Sequence, residues 1–462
     1  MKLLLTIING FFIVYLILYS THMFISVMMG AFQLFKKEQL RITNSQLNHS
    51  YYIPVSIIVP AYNEEVTIVD SIRSLLQLDY KLYEIIIVDD GSKDNTTKVL
   101  LDAFPLKKVD RPIHFKVKCK PYKEIYEAKI NNISVTLIRK ENGGKGDSLN
   151  MGINASKLPY FICIDADSFL QKDSLKKIVR PAFEDDTVVA VGGLIRIAQC
   201  VSVDNGEITK YKIPFDPLVC MQVVEYSRTF FADRIFKDLY GGNLIISGAF
   251  GLFKKDIVVA VGGYDSSTLG EDMELVVKLH VFCRNNNRPY KITYEPEAVC
   301  WSQAPSSLTD LKKQRRRWYL GLFQCMTKYY YIFGNLRFGL VSFVSYLYYL
   351  VFELLSPIIE MLGIVSMILS FVFRLLNYDY FLNFFLLYTI FGAFLTLTAF
   401  FQTIYMEKAT FSFTDFLKAV GVCFTESFFF RYVLSFVRAT AFIGYKKRKH
   451  SWGSIKRTKN SV

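Results

Sequence analysis

Paired carboxylates stand at the ends of two apolar runs of this sequence. Asp165 and Asp167 are two residues apart and directly follow the run Tyr160–Ile164. Asp89 and Asp90 end a second run of the same kind. Carboxylate oxygens, together with phosphate oxygens of a substrate, form the usual site for Mg²⁺ or Mn²⁺. A single D-x-D pair is also typical of an ordinary turn, so the metal-binding interpretation depends on the motifs around it.

Two basic segments could bind phosphate. Gly143-Gly144-Lys145-Gly146 can bring backbone amides and an ammonium group towards a phosphate or base, although its spacing is not that of a P-loop. The run from Gln314 to Trp318 reads Q-R-R-R-W. Arginine binds phosphate oxygens through two parallel hydrogen bonds, and tryptophan offers a flat apolar face to a ring. The same run would also suit a helix at a membrane surface, with its cations facing anionic lipid.

A third acidic motif precedes a predicted helix. Gly270-Glu271-Asp272 comes directly before Met273–Phe282, which has helical periodicity. An ionised aspartate there can remove a proton from an acceptor hydroxyl. Acidic residues at a helix start are also stabilised by the helix dipole without any catalytic role, so both interpretations stay open at this point.

These motifs are spaced by alternating strands and helices. Continuous apolar runs indicate strands that are buried on both faces, and their alternation with helices predicts a mostly parallel sheet. Ligands of such sheets bind at the carboxyl ends of the strands, where both carboxylate pairs lie. The predicted strands are Val55–Val59, Glu84–Val88, Val135–Ile138 and Tyr160–Ile164.

Composition places the chain between the soluble and the membrane classes. It has 462 residues, 55 Lys and Arg against 41 Asp and Glu, and a formal net charge of +14. It is 52% hydrophobic and 21% charged, with a mean hydropathy of +0.24. Such a composition excludes an intrinsically disordered chain, which needs low hydrophobicity. We therefore expect a soluble domain joined to membrane segments.

The apolar and charged stretches divide the chain into four predicted parts. The long apolar run after Lys2 exceeds a signal-peptide core and indicates a membrane helix. The predicted parts are an N-terminal transmembrane helix (1–35), an α/β domain ending in an amphipathic interface helix (36–331), transmembrane and interface helices (332–445) and a basic tail (446–462).

Flanking charges predict the orientation in the plasma membrane. Lys36, Lys37 and Arg41 follow the first apolar run, and basic residues beside a span stay on the cytoplasmic side. We expect an outside N-terminus, with the α/β domain and the basic C-terminal tail in the cytoplasm. This orientation requires an even number of later spans.

The later spans are less clearly defined by the sequence. The better candidates are about Glu353–Leu375, which Pro357 should break or kink, and about Phe381–Gln402. The stretch Phe411–Phe442 carries several charged residues and is expected to be interfacial or re-entrant. Four later spans would have the same parity, so two and four both remain open.

Taken in order, the motifs resemble the membrane-integrated family-2 glycosyltransferases, which include cellulose, hyaluronan and poly-N-acetylglucosamine synthases. V-D-D-G-S, D-A-D, S-G-A-F-G, G-E-D and Q-x-x-R-W occur in series between Val55 and Trp318. The resemblance implies a cytosolic α/β domain of GT-A type, with a mostly parallel sheet, fused to α-helical transmembrane segments. The chain departs from cellulose synthases in reading G-E-D rather than T-E-D, and it has no F-x-V-T-x-K gating segment.

The resemblance implies roles for individual residues on the donor side. It assigns uridine binding to Asp90 with Asp89, and it matches Lys145 to a lysine close by. It makes Asp165 the first acid of a metal motif and Asp167 the metal ligand, so Mg²⁺ or Mn²⁺ is the expected cofactor.

Further roles are implied at the acceptor. Asp272 resembles the general base, with Glu271 beside it in the substrate site, and Arg317 would hold the diphosphate. The other implied substrate-binding residues are Ser247, Gly248, Ala249, Gln314, Trp318 (under the terminal sugar) and Trp452 in a C-terminal W-G segment.

The expected activity is a processive, inverting transfer from a UDP-sugar to a growing β-linked polysaccharide that is extruded across the lipid bilayer. UDP-glucose is the favoured donor, giving a cellulose-like or mixed-linkage β-glucan. The alternatives are a poly-N-acetylglucosamine or hyaluronan-type synthase, a non-processive transferase acting on a lipid carrier, and a non-enzymatic receptor or transporter. No nucleic-acid partner is expected, and accessory secretion subunits would be compatible with this function.

Overall fold

A computed structural model of the chain describes residues 2–44, 52–204, 207–211, 213–375, 377–407 and 412–443. The predicted basic tail (446–462), with the proposed substrate contact Trp452, lies outside the described residues.

The strands form one large mixed sheet and a small hairpin. The order in the large sheet is β3-β4-β5-β2-β1-β6-β11-β8-β12-β7, and β9 pairs with β10 in a separate two-stranded sheet. The strands are β1 (Val55–Ala61), β2 (Tyr83–Asp89), β3 (Lys107–Val109), β4 (Tyr122–Ile130), β5 (Ile133–Lys140), β6 (Tyr160–Cys163), β7 (Phe169–Leu170), β8 (Val188–Ile197), β9 (Val201–Asp204), β10 (Glu207–Tyr211), β11 (Gly251–Lys254) and β12 (Lys291–Ser302).

The helices cover both faces of the sheet and continue into an apolar bundle. They are α1 (Lys2–Asn44), α2 (Ile68–Leu75), α3 (Thr96–Ala103), α4 (Lys145–Ala155), α5 (Ser174–Glu184), α6 (Pro217–Tyr226), α7 (Asp233–Asp238), α8 (Lys255–Ala260), α9 (Glu271–Asn285), α10 (Leu308–Lys328), α11 (Ser356–Val372), α12 (Tyr378–Glu407), α13 (Phe413–Thr425) and α14 (Arg431–Ala439).

The centre of the large sheet is parallel, as predicted. Strands β5, β2, β1 and β6 run in the same direction. Every residue of β2 is buried, and so is all of β1 except Pro60, because helices cover both faces. This explains why these strands read as continuous apolar runs rather than alternating ones. The predicted α/β fold class with fused apolar helices is confirmed.

One antiparallel strand brings a loop to the site. Strand β11 pairs with β6 in the opposite direction, and its first residue, Gly251, lies opposite Cys163, the last residue of β6. The segment before β11, Ser247–Ala249, therefore lies at the same sheet edge as Asp165, which follows β6. Residues more than eighty positions apart in the sequence meet in this way.

Two glycines allow α9 and α10 to approach closely. A Cβ on Gly321 of α10 would lie 2.7 Å from the nitrogen of Gly270, the residue before α9. The buried carboxylate of Glu274 also joins the helices, because it accepts hydrogen bonds from Lys328 Nζ (2.6 Å) and the Tyr329 hydroxyl (2.7 Å). Since α9 carries Asp272 and α10 carries Trp318, this contact sets their separation.

Three helical segments of the described residues are long and apolar enough to cross a membrane: Lys2–Lys36, Tyr378–Met406 and Phe413–Phe442. A fourth candidate is the pair Val341–Leu354 and Ser356–Val372, which is bent by 46°. Pro357 lies in the first turn after the bend, where the sequence predicts a kink.

The stretch after residue 411, for which the sequence predicts an interfacial or re-entrant segment, is helical. It forms a helical segment of spanning length, Phe413–Phe442, despite its charges. Two of those charges are paired within the bundle. Glu426 accepts two hydrogen bonds from Arg228 at 2.9 Å, and Arg431 Nη2 lies 2.6 Å from Glu360. Such pairing lowers the cost of charges among apolar helices, and hydropathy alone does not register it.

The helical segment from α6 to α7 connects the sheet domain to the apolar helices. Residues of α6, such as Val223, pack in one cluster with Phe400 of α12 and Ala419 of α13. Arg228, between α6 and α7, forms the ion pair with Glu426. This part of the chain lies inside the predicted 36–331 domain, yet it packs against helices of the C-terminal bundle.

Candidate active site

A cavity of about 250 Å³ lies between the edge of the sheet, α9, α10 and the apolar helices. It contains most of the residues that the sequence assigned to a site. Ten of them line it: Lys145, Asp165, Ser247, Gly248, Ala249, Glu271, Asp272, Gln314, Arg317 and Trp318.

Oppositely charged groups meet on the sheet side of the cavity. Lys145 begins α4, after a turn in which Gly144 has a φ of +89° that favours glycine. Its Nζ forms an ion pair with the Asp165 carboxylate. Burial lowers the pKa of Lys145, but Asp165 and Glu271 outweigh burial and raise its pKa above the ordinary value. Lys145 is therefore a protonated cation at this end of the cavity.

Glu271 has the most strongly shifted acidity in the site. Burial, followed by the neighbouring Asp272 carboxylate, raises the pKa of Glu271 to about 7. Lys145 and Arg317 act in the opposite direction and lower its pKa. Two adjacent carboxyl groups at the start of α9 thus differ in environment, which is a feature of sites that move protons.

Asp272 is held at the start of α9 by backbone amides. Its Oδ1 accepts a hydrogen bond from its neighbour Met273 N (2.8 Å), and its Oδ2 accepts one from Gly248 N (3.2 Å). A Cβ on Gly248 would lie 3.2 Å from Lys145 Nζ and 3.5 Å from the Asp272 Cβ. The loop Ser247–Ala249 therefore passes between the Lys145 ammonium and the Asp272 side chain.

Asp89 and Asp90 lie next to the site but do not line the cavity. Asp90 accepts hydrogen bonds from Lys140 Nζ (2.7 Å) and from the amides of Gly143 (3.0 Å) and Gly144 (2.7 Å). Asp89 accepts one from Ser92 N at 2.8 Å. In this conformation, Asp90 holds the glycine-rich loop that leads to Lys145.

The two carboxylates of the D-A-D motif are placed differently. Asp165 lines the cavity, whereas Asp167 is only 3% exposed and is not among the lining residues. Within the described residues, no cluster of three or more His, Cys, Asp or Glu side chains could hold a metal ion. The donor chemistry nevertheless fits Mg²⁺ or Mn²⁺, because such ions are commonly bound by one or two carboxylates plus substrate phosphates.

The Q-R-R-R-W run lies on α10 and faces several directions. Gln314, Arg315, Arg317 and Trp318 line the cavity. Arg315 is buried, forms an ion pair with Glu225 (2.7 Å), and its guanidinium carbon lies 4.5 Å from the centre of the Trp318 ring. The indole is thereby held in place at the wall of the cavity.

The cavity also has lining residues that the sequence analysis did not identify. Tyr226 at the end of α6, Phe230 in the connection that follows and Arg234 in α7 line it. Glu353 and Arg438 line it from the apolar helices. The spacing of four between Tyr226, Phe230 and Arg234 places them on one helical face, a signal that was present in the sequence. The contributions of Glu353 and Arg438 depend on long-range packing and had no local signal.

Fold and site together define a class: an α/β enzyme domain with an acid, phosphate-binding cations and an aromatic platform in one cavity next to apolar helices. Family models agree with it. Residues 56–261 match the family described as "Glycosyl transferase family 2", and residues 160–401, more than half of the chain, match "Glycosyl transferase family group 2". The chain belongs to the family-2 glycosyltransferases, which confirms the predicted family and enzyme class.

The curated proteins with similar sequences include two staphylococcal polysaccharide synthases. The chain is 30% identical over 310 residues to the poly-beta-1,6-N-acetyl-D-glucosamine synthase of Staphylococcus aureus strain COL, a match covering 66% of this chain and 64% of that protein. The synthase of the same name from Staphylococcus epidermidis is 29% identical over 310 residues. The matched region thus spans just under two thirds of the length of these relatives.

A solved structure supports the fold. The mannosyltransferase PcManGT from Pyrobaculum calidifontis, solved in complex with GDP-Man and Mn²⁺, is similar with a TM-score of 0.50 and 18% identity. The similarity covers 84% of this chain and 98% of that one.

Proposed function

We propose that this protein is a processive glycosyltransferase that polymerises N-acetylglucosamine from UDP-N-acetylglucosamine into a β-linked polysaccharide. The observation that carries the proposal is the single cavity in which Asp272, Arg317 and Trp318 meet the wall of apolar helices. The two staphylococcal relatives favour N-acetylglucosamine over glucose. UDP-glucose, the donor favoured from the sequence, is therefore replaced by the amino-sugar alternative.

The proposed reaction is a single displacement. Asp272, held by two backbone amides, takes the proton of the acceptor hydroxyl, which attacks the anomeric carbon of the donor. Arg317 and Lys145 stabilise negative charge on the departing diphosphate. Attack from the opposite side of the leaving group converts an α-linked donor into a β-linkage.

Asp165 and Asp167 are the proposed holders of Mg²⁺ or Mn²⁺. A bound divalent ion supplies charge neutralisation for the leaving diphosphate. Asp165 reaches the cavity directly, where its carboxylate forms an ion pair with Lys145.

Processive synthesis needs a grip on the polymer after each addition. The aromatic rings of Tyr226, Phe230, Trp318 and Tyr349 line the cavity and suit the flat faces of pyranose rings. We propose that the α/β domain lies on the cytoplasmic side of the membrane and that the product leaves along the apolar helices. A transferase adding one sugar to a lipid carrier would not need this aromatic wall.

Incubation of the purified full-length protein with Mn²⁺ or Mg²⁺ and one UDP-sugar at a time tests the proposal, with product length and UDP release as readouts. Long product is expected from UDP-N-acetylglucosamine alone. Asp272→Asn should lower the rate by about 10²–10⁴-fold, because it removes the base. The exposed Asp256 is a matched control, and its change to Asn should leave the rate unaltered.

Other products would identify the competing functions. Long product from UDP-glucose alone would restore the β-glucan synthase, and a requirement for UDP-glucuronate as a second donor would indicate a hyaluronan-type enzyme. Lipid carrying a single sugar would indicate a non-processive transferase. UDP release from none of the donors would contradict an enzymatic function for the purified chain.

A further inference from the structure

Arg234 is a buried arginine in the wall of the cavity. It lies in α7, and only 4% of its surface is exposed. Its Nη1 is buried without a hydrogen-bond partner, and no carboxylate among the described residues forms an ion pair with its guanidinium. Because an unpaired buried charge is costly, its position in the cavity wall indicates that a ligand supplies the missing acceptor.

The other cavity arginines that do not face the diphosphate are neutralised by the protein. Arg315 is paired with Glu225 at 2.7 Å, and Arg438 lies 3.6 Å from Glu353. Arg234 differs from both of them in having no such carboxylate within the described part of the chain. It therefore supplies an uncompensated positive charge to this side of the cavity.

The surroundings of Arg234 are aromatic. Its guanidinium carbon lies 4.5 Å from the centre of the Phe230 ring. Phe230 in turn packs edge-on against Trp318, with ring centres 6.3 Å apart, and against Tyr226 at 4.5 Å. A sugar ring that stacks on these aromatic side chains would have its substituents within reach of the arginine.

The hydrogen-bonding groups of the guanidinium determine which sugar substituent it can bind. Arginine has five donors and no acceptor, so it complements a group that only accepts. In an uncharged amino-sugar polymer, the acetamido carbonyl oxygen is such a group, whereas a hydroxyl both donates and accepts. A glucosamine unit without its acetyl group carries an ammonium, which the arginine would repel.

We propose that Arg234 is a specificity-determining residue for the acceptor, donating hydrogen bonds to the acetamido carbonyl of an N-acetylglucosamine unit in the growing chain. It favours acetylated over unacetylated acceptors. This inference rests on the proposed function and assigns the acceptor preference of that site.

The test compares two acceptors of equal length, β-1,6-linked oligomers of N-acetylglucosamine and of glucosamine, at mildly acidic pH where the amine is protonated. The full-length protein elongates each with UDP-N-acetylglucosamine, and kcat/KM is measured. We expect the wild type to prefer the acetylated oligomer by about tenfold or more. Arg234→Met should bring this ratio close to one, and the KM for the donor should change by less than about twofold.

Two further variants separate recognition from packing. Arg234→Lys keeps the charge but loses the planar fork, so it should still reject the glucosamine oligomer while using the acetylated one less well. Arg196→Met is the matched control, because Arg196 is also buried, lies outside the cavity lining and donates to the Thr403 carbonyl at 3.5 Å. It should leave the acceptor ratio unchanged even if it destabilises the fold.

The outcomes are distinguishable. If Arg234→Met lowers all activities equally and keeps the wild-type ratio, Arg234 is a packing residue and the inference is overturned. If the wild type transfers N-acetylglucosamine to neither acceptor, the proposed function itself fails.

Discussion

At the scale of single residues, the two adjacent acids of the site, Glu271 and Asp272, have different surroundings. Asp272 is fixed by two backbone amides, while its neighbour Glu271 is buried and has a raised pKa. The cations Lys145 and Arg317 limit the rise in the pKa of Glu271. The motif G-E-D could be found in the sequence, but the raised pKa of Glu271 depends on its burial and on the neighbouring Asp272 carboxylate in the folded chain.

The raised pKa of Glu271 makes stability depend on pH. The folded state holds this proton more tightly than the unfolded chain, so the unfolding free energy falls as pH rises from the ordinary value of 4.5 to about 7. Glu271→Gln removes the titration, so its melting temperature relative to the wild type should increase by a few degrees between pH 5 and pH 8.

Thermal melts of both proteins in one detergent, across this pH range, provide the measurement. Glu184→Gln on the exposed part of α5 is the control and should melt in parallel with the wild type. Parallel curves for Glu271→Gln as well would mean that Glu271 is ionised throughout.

At the scale of elements, the sequence predicted the parallel centre of the sheet well, because strands buried on both faces leave uninterrupted apolar runs. The predicted Val55–Val59 is observed as β1, and Glu84–Val88 is observed as β2 with one more residue at each end. The antiparallel pairing of β11 with β6 left no such pattern, since pairing between distant segments is set by tertiary packing. The residues of the site could therefore be identified from the sequence. The strand pairing that brings the loop Ser247–Ala249 next to Asp165 could not.

The contact between α9 and α10 gives a prediction at this scale. Gly321→Ala should lower the transfer rate by about tenfold or more, because the new methyl group would meet the backbone of Gly270 and move Trp318 away from Asp272. Alanine favours a helix over glycine by about 1 kcal/mol, which is less than the cost of this overlap.

Gly421→Ala in α13 is the matched control, since nothing lies within 4 Å of the added Cβ. Initial rates of both variants, together with their UDP binding, provide the measurement. Equal rates for Gly321→Ala and the wild type would show that the helix separation does not limit transfer.

At the scale of the whole molecule, the number of membrane crossings after the α/β domain decides on which side of the membrane the C-terminus lies. If Tyr378–Met406 and Phe413–Phe442 are the two later spans, the bent pair around Leu355 would be re-entrant, and the orientation that we propose would put the C-terminus in the cytoplasm. This keeps the even number expected from the flanking charges, although it uses a different pair of segments from the one predicted. A full crossing by the bent pair would place the C-terminus outside.

Epitope tags distinguish these arrangements. In intact cells, an antibody should reach a tag placed before Met1 but not one inserted at Asn287, in the turn after α9, or one placed after Val462. Detection of the C-terminal tag in intact cells would indicate three later spans. Detection of the Asn287 tag without permeabilisation would reverse the proposed orientation.

Tyr349, Glu353 and Arg438 form one wall of the cavity, and this has a consequence for the biosynthesis of the enzyme. Asp165, Asp272 and Trp318 leave the ribosome before Tyr349 does, and Arg438 is made more than a hundred residues after Trp318. A nascent chain therefore completes its α/β domain while one side of its cavity is still unmade. The bundle must therefore be inserted and packed before the cavity is complete. If the protein is the proposed polysaccharide synthase, this order of translation would delay the onset of synthesis until the apolar helices are in place.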